Sequence, residues 1–347
     1  MNVPLLTADL PGTSGLTRVT EEDFRVEELP LYEPSGEGEH LYLTIEKRGL
    51  TTPEVVKEVA RALGARERDV GTAGLKDKRG VTVQRISVAT RVSPEEASKL
   101  AGTGFRVLAA ARHGNKLRPG HLRANRFRIV VRGVASGGFE KALAVCERLR
   151  ATEAANLFGP QRFGKYGDNA ELGRAILRRE KVVRDRFLRR MALSALQSEV
   201  FNRCLAARIA DGLFSTAIEG DVLKKRESGG LFVCADPAAD ARRVASFEVD
   251  PAGPLPGHSL FAAQAEALRR EQQVLDEAGL DEPSFAAGGG EMEGARRPYR
   301  IAIAELQVER EGEDGFVLRF VLPRGSYAAS VLREVLKSEV FTEENNV

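Results

Sequence analysis

The chain has 347 residues, of which 42% are hydrophobic and 29% charged, and its formal net charge is +2. That length is long for one compact core and predicts two domains, while the hydrophobic content excludes wholesale disorder. No apolar run reaches the ~18 residues a membrane helix needs, and no basic-then-apolar leader opens the chain, so a cytoplasmic location is expected.

Taken in chain order, Phe24 to Glu28 reads as a short strand. His40 to Lys47 alternates Leu41, Leu43 and Ile45 against Tyr42, Thr44 and Glu46, the pattern of a half-buried strand. Thr52 and Pro53 then supply a helix cap and a first helical residue. Val55, Val56, Val59, Ala60 and Leu63 form its apolar stripe, and Gly64 ends it. Val81 to Val88 is strand-like. Ser93-Pro94-Glu95-Glu96 is a capping box opening a short helix that stops at Gly102, and Arg126 to Arg132 is another strand with Phe127, Ile129 and Val131 on one face. Such one-sided strands suit antiparallel pairing in an α+β layer with one basic, wet face.

The middle of the chain turns helical, notably over Met191 to Asp211 and Ala262 to Ala278, each ended by glycine. Ala286 to Gly290 reads as a flexible linker or loop. Two strands follow, Arg300 to Leu306 and Phe316 to Leu322, and then a last helix from about Ala328 to Glu339. The return of strands predicts that the middle is an insertion and that the final ~50 residues complete the first domain.

Charge is unevenly placed. From Ala97 to Phe139 there are nine Lys or Arg residues and no acid, and from Pro160 to Arg190 ten basic residues meet four acids. A positive face of this kind suits a phosphate backbone, although a run of charge equally suits plain solvent. Cys146, Cys204 and Cys234 are far apart and read as small buried hydrophobes. His40, His113, His121 and His258 are equally scattered, which argues against a zinc site.

Between two strand-like stretches stands Gly74-Leu75-Lys76-Asp77-Lys78, a carboxylate between two lysines beside a turn-making glycine. Alone, this triplet reads as an exposed turn. It is not a phosphate-binding loop, because the spacing is wrong and Asp77 stands where Ser or Thr would hold magnesium. Two other strings are too unusual for generic loops: Asn156-Leu157-Phe158-Gly159-Pro160-Gln161-Arg162-Phe163-Gly164, and Leu322-Pro323-Arg324-Gly325-Ser326-Tyr327 running on to Glu334.

With these strings in view, the chain resembles the TruD family of tRNA pseudouridine synthases. The resemblance is carried by Glu22-Asp23-Phe24, Gly38-Glu39-His40 with Glu46-Lys47, Ala73 to Lys78 with Val81-Thr82, Asn125-Arg126-Phe127, and the two long strings, all in the family's order. It implies a mixed, mainly antiparallel catalytic sheet of pseudouridine synthase type, residues 1–153 completed by 301–347, with an inserted α/β domain at 154–300. It also implies an isomerase that turns uridine into pseudouridine in tRNA, at position 13 in the D-arm of a few tRNAs, with neither cofactor nor metal. The family's indispensable aspartate matches Asp77. Phe24, Phe127 and Tyr327 match its substrate-side aromatics, Tyr327 standing where a phenylalanine is usual, and Asn125 is placed to bond the uracil edge or the sugar.

For catalysis Asp77 must be ionised and poorly hydrated, with a cation near it. Lys76 and Lys78 are candidates, but neighbours on an extended chain point away, so a basic residue from another segment is an equal candidate. The expected RNA contacts are Lys76, Lys78, Arg112, Lys116, Arg118, Arg123 and Arg162, in a cleft between insertion and core. By spacing alone, Phe127 is a core residue. The rival reading is an RNA-binding or RNA-remodelling module with the same fold and no chemistry. A metal-dependent nuclease lacks clustered ligands.

Overall fold

A computed structural model describes residues 3–337. The first part of the chain forms strands β1 (Leu16–Thr17), β2 (Phe24–Pro30), β3 (His40–Arg48), β4 (Val70–Thr72), β5 (Val81–Ala89), β6 (Ala101–Gly102), β7 (Phe105–His113) and β8 (Leu122–Arg132), with helices α1 (Thr52–Ala62) and α2 (Pro94–Ala97). After α3 (Gly138–Thr152) come β9 (Ala154–Ala155), α4 (Asn169–Leu177), α5 (Arg186–Ala210), β10 (Val222–Lys225), β11 (Leu231–Val233), α6 (Pro237–Ala245), β12 (Val249–Leu255), α7 (Ala265–Glu277), α8 (Glu282–Gly288), β13 (Ala295–Pro298) and β14 (Arg300–Ile301). The chain then returns through β15 (Ala304–Arg310), β16 (Phe316–Pro323) and α9 (Ala329–Leu336).

Ten strands join in one sheet, ordered β15-β16-β8-β2-β5-β3-β7-β6, with β1 on β8 and β4 on β5. Its ladders are antiparallel apart from β2 with β5, so the sheet is mixed and mainly antiparallel, as expected. The late strands β15 and β16 lie beside β8 in this sheet. The helix-rich middle carries its own four-stranded sheet, β11-β10-β12-β13. Where the chain enters and leaves that part, Ala154 pairs with Ile301 and Ala155 with Arg300.

One face of the large sheet is buried under α3 and α9. Phe24, Phe127, Ile129, Phe316, Leu318 and Phe320 pack there against Val145, Leu149, Val331, Leu332 and Val335. Alternation along β8 therefore sends Phe127 inward and Arg126 and Arg128 outward, each buried large side chain contributing about 1.5–3 kcal/mol. The three cysteines are buried and free.

Several boundaries differ from the sequence reading for local reasons. Thr51 is the cap of α1, accepting from the Glu54 N–H at 3.3 Å while the Glu54 carboxylate accepts from the Thr51 N–H at 2.6 Å. Thr52 is thereby released for other bonds. Helix α5 begins at Arg186, earlier than its apolar period suggests, because the Asp185 carboxylate accepts from the N–H groups of Phe187 and Leu188. Residues 286–290 are not a linker: capping by Asp281 and burial of Phe285 fold them into α8 and a 3-10 turn. The strand expected over Arg300 to Leu306 is broken between β14 and β15, and inside β15 Glu305 at φ +54° marks a shift of register between Ala304 and Gln307. The last helix ends at Leu336; its expected end, Glu339, lies outside the described residues.

Candidate active site

Asp77 lies in the irregular segment between β4 and β5, and that segment is tied down from beneath. The Lys76 N–H donates to Thr52 Oγ1 at 3.0 Å, the hydroxyl released by the shifted cap of α1. Lys47, at the end of β3 and wholly buried, donates from Nζ to the main-chain carbonyls of Asp77 and Leu50, both at 2.7 Å. Burial pushes this ammonium down to about 8, against the opposing charges of Asp77 and Glu54 and with that of Lys76. The glycine that the turn requires is Gly80, not Gly74. Gly80 sits at φ +133°, and a methyl added to it would lie only 2.5 Å from the Phe24 carbonyl oxygen, whereas nothing but Lys76 Nζ lies within 4 Å of such a methyl on Gly74.

The cation at Asp77 comes from neither flanking lysine. Lys76 Nζ pairs with Glu28 at 2.9 Å, in a position almost closed to water, and Lys78 Nζ pairs with Glu54 at 3.4 Å. Arg18, just after β1 and held at φ +59°, donates from Nη2 to Asp77 Oδ2 at 2.8 Å. Its guanidinium also stands 3.8 Å over the centroid of the Phe24 ring, which fixes its plane beside the carboxylate. The Asp77 side chain is 48% exposed.

Phe24 meets Phe127 edge-on at 6.3 Å, and Phe127 stacks on Phe320 at 5.2 Å. Both Phe24 and Phe127 are core residues by burial, and both still present an edge to a cavity of about 1000 Å³. Arg18, Asp77, Asn125 and Tyr327 line the same cavity, as do Gln161 and Arg162. Asn125 shares a face of β8 with Phe127, and its carboxamide oxygen is buried with no hydrogen-bond partner. Tyr327 is exposed at the rim. The five residues Phe24, Asp77, Asn125, Phe127 and Tyr327 thus meet in one place.

The expected RNA contacts divide. Arg162 lies along α5, donating from Nε to Ser198 Oγ at 3.1 Å and from Nη2 to Ser194 Oγ. Arg112 is a clamp on the main-chain carbonyls of Thr90, Val92 and Glu39, and Lys116 donates to that of Arg68; neither lines the cavity. Arg118 and Arg123 are exposed and have no partner among the described residues. They flank Gly120 and Leu122, which form part of the cavity wall.

The acid-free stretch from Lys99 to Arg132 is not free of acids in space. Arg106 pairs with Glu46, Arg126 with Glu27 and Glu305, Arg128 with Glu311, and Arg132 with Asp23. Hydrogen bonds from Arg132 hold the Asp23 carboxyl below the usual carboxylate range. The histidines also come partly together. His121 Nδ1 lies 3.0 Å from the Tyr32 hydroxyl, and the His113 ring stacks on Tyr32 at 5.1 Å. Among the described residues no cluster of three or more His, Cys, Asp or Glu is placed to hold a metal ion.

Arg18 and Lys47 were not among the expected site residues. Lys47 carried a readable signal, since it continues the apolar face of Leu41, Leu43 and Ile45, where a lysine is out of place. Arg18 carried none. The Asn156 to Gly164 string does structural work as well. Arg297 donates to the Asn156 side chain and to the Gly325 carbonyl at 3.3 Å, which links the two unusual strings, and Asn202 of α5 bonds both the N–H and the carbonyl of Phe158 at 2.9 Å.

The family model described as tRNA pseudouridine synthase D (TruD) matches residues 1–184 and 182–335. The chain is similar to the tRNA pseudouridine synthase D of Anaeromyxobacter sp. (strain Fw109-5), 53% identical over 347 residues with 97% of each chain covered. It is also 45% identical over 338 residues to that of Thermus thermophilus, covering 97% of this chain and 92% of the other. The crystal structure of a Methanosarcina mazei chain that carries the TruD name superposes with a TM-score of 0.81 at 25% identity, over 97% of each chain.

Proposed function

The chain belongs to the TruD family of tRNA pseudouridine synthases, isomerases that act on tRNA, and on that premise we propose that Asp77 is its catalytic carboxylate. The observation that carries this reading is the convergence of Asp77, its Arg18 partner, the Phe24 and Phe127 edges and the unpartnered Asn125 oxygen on one cavity. A module that only binds RNA gains nothing from a carboxylate in a cleft meant for phosphate, and such a charge opposes binding.

The target uridine leaves its stack and enters the cavity, at a cost of a few kcal/mol that aromatic contact and amide hydrogen bonds offset. Its base lies against Phe24, Phe127 and Tyr327, and its N3–H is the natural donor to the Asn125 oxygen. Entry also strips water from the exposed side of Asp77, whose carboxylate keeps its hydrogen bond from Arg18. From there two routes are open to it: attack on ribose C1′, or removal of a sugar proton so that uracil leaves through a glycal-like intermediate. In both the bond from N1 to C1′ breaks, the base turns and a bond from C5 to C1′ forms, displacing the Asp77–C1′ ester in the first route and with Asp77 returning the sugar proton in the second, while N1 takes up a proton and C5 loses one. The exchange is redox-neutral and balanced within one nucleotide, so the proposed reaction uses neither cofactor nor metal.

The site expected is uridine 13 of a few tRNAs, in the cytoplasm. Residues 1–153 and 301–347 make up the proposed catalytic domain, with 154–300 inserted, a division supported by the short ladder of β9 with β14 at the two crossings. Arg162 in the cavity wall, and Arg118 and Arg123 beside it, are proposed to meet tRNA phosphates, with Lys76 and Lys78 partly neutralised by their carboxylates.

The test is release of tritium from unmodified tRNA labelled at uracil C5, with EDTA present, by wild type and Asp77→Asn. The reading expects release that vanishes in the variant while tRNA binding survives. Equal release by both, or none from wild type, overturns it.

A further inference from the structure

Beyond the cavity, residues 178–190 carry seven Lys or Arg and two acids. One acid, Asp185, is engaged as the cap of α5. Arg189 pairs with Glu291, and Arg178 donates to the Gly279 carbonyl. Arg179, Lys181, Arg184, Arg186 and Arg190 are exposed and have no partner among the described residues. In their midst the Phe187 ring is 68% exposed, on the first turn of a 25-residue helix. A phenylalanine so placed does nothing for the core.

Its position on the helix gives it a direction. At 3.6 residues per turn, Phe187, Arg190, Ser194 and Ser198 follow one row along α5. Ser194 and Ser198 are the two hydroxyls that accept from Arg162, which lines the cavity. The row therefore leaves the cavity at Arg162 and reaches Phe187 after seven residues, ~10 Å further along the axis.

We propose that this row is a second nucleotide-binding site, in which the Phe187 ring stacks on an unpaired base near the target uridine while Arg186 and Arg190 meet the adjoining phosphates. The proposal rests on the reading of the cavity as the uridine site. An apolar ring between unpaired cations on a rigid helix is the combination that binds unpaired nucleotides without regard to sequence. Continuity with the cavity selects RNA over a protein partner, because whatever strand delivers the uridine must pass over an adjoining surface.

The chain contains no tryptophan, so Phe187→Trp introduces a sole indole. The experiment follows its fluorescence while unmodified tRNA is added, in the Asp77→Asn background to prevent turnover, with Phe261→Trp as a second exposed reporter. Expected is strong quenching at position 187, saturating with tRNA binding, and little change at 261. Phe187→Ala in the otherwise wild-type chain is expected to weaken tRNA binding about tenfold and leave the single-turnover rate at saturating tRNA unchanged.

An indole at 187 that ignores bound tRNA, or Phe187→Ala binding as tightly as wild type, overturns the proposal. So does emission that changes with protein concentration in the absence of RNA, which would make this face a contact between copies of the chain. Tritium release by the wild-type protein is scored separately. Quenching without release would therefore overturn the isomerase reading and leave an RNA site at Phe187 standing.

Discussion

The buried ammonium of Lys47 donates to the main-chain carbonyl of Asp77 and not to its carboxylate, at 2.7 Å. Lys47 thereby fixes where the backbone presents Asp77, and Lys47 itself does not line the cavity. Burial pushes the ammonium down to about 8. Between that pH and about 10.5 the unfolded chain holds more protons on this lysine than the folded one, so the lysine's contribution to stability rises with pH through that window. Below it, keeping the group charged costs roughly 3 kcal/mol. The melting temperature of Lys47→Met minus that of wild type should therefore fall by several degrees from pH 7 to pH 10. Over the same range the wild-type single-turnover rate should decline through about pH 8, while the variant stays slow throughout. A temperature gap that does not change with pH would contradict this account.

Arg18 is expected to be worth far more to the chemistry than to the fold. Its pair with Asp77 is partly exposed, a setting in which ion pairs add ~0–1 kcal/mol to stability. Once a nucleotide closes over the pair, the same contact acts in a dry site. Arg18→Met should lower the single-turnover rate roughly 10²-fold, with tRNA affinity and melting temperature little changed. Arg18→Lys should recover part of the rate, less than all because a lysine does not reproduce the flat stacking on Phe24. Loss of melting temperature in parallel with rate would reduce Arg18 to a structural role.

The two glycines that bracket Asp77 make a direct comparison. Gly80→Ala places a methyl 2.5 Å from the Phe24 carbonyl oxygen at φ +133°, so β2 or β5 must move. The strain alone is of order 1–3 kcal/mol, and the displaced residues are Phe24 and Asp77 themselves. Gly74→Ala meets only Lys76 Nζ at 4.0 Å and has no positive φ to oppose it. Denaturant unfolding and tritium release should show Gly80→Ala impaired in both and Gly74→Ala close to wild type in both.

The charge map separates what was legible in the sequence from what was not. Strands and helices with a clear period, such as β3, β5, β8 and α1, were readable because burial of one face imposes that period. Phe24, Phe127, Tyr327 and Asp77, which line one cavity, were singled out by resemblance. The partners were hidden, because Arg132 and Asp23, or Arg18 and Asp77, are 109 and 59 residues apart and meet only through sheet pairing. The acid-free segment thus overstated the free positive charge, and its individual arginines have different fates. Arg118→Glu with Arg123→Glu should weaken tRNA binding and flatten its salt dependence without altering stability. Arg132→Ala should instead destabilise the fold, since it strips Asp23, a buried carboxylate, of a partner that bonds both of its oxygens. A salt titration and a melting curve for each variant decide the matter, and the reverse assignment would refute it.

Asn125 gives the sharpest test of what the cavity holds. Its carboxamide oxygen is buried and unpartnered, a condition native proteins seldom tolerate without a reason. On the proposed reading a uracil N3–H supplies the missing donor, and loss of such a bond in a dry site costs ~1–3 kcal/mol. Asn125→Leu should therefore lower kcat/KM by roughly 10- to 100-fold, yet leave the fold as stable as wild type or more so, because an apolar side chain at that position leaves no acceptor unsatisfied. The comparison that isolates the bond uses tRNA whose target uridine carries a methyl group on N3. Wild type should lose most of its activity on that substrate and Asn125→Leu little of what remains to it. Equal penalties in the two proteins would show that Asn125 faces some other part of the nucleotide.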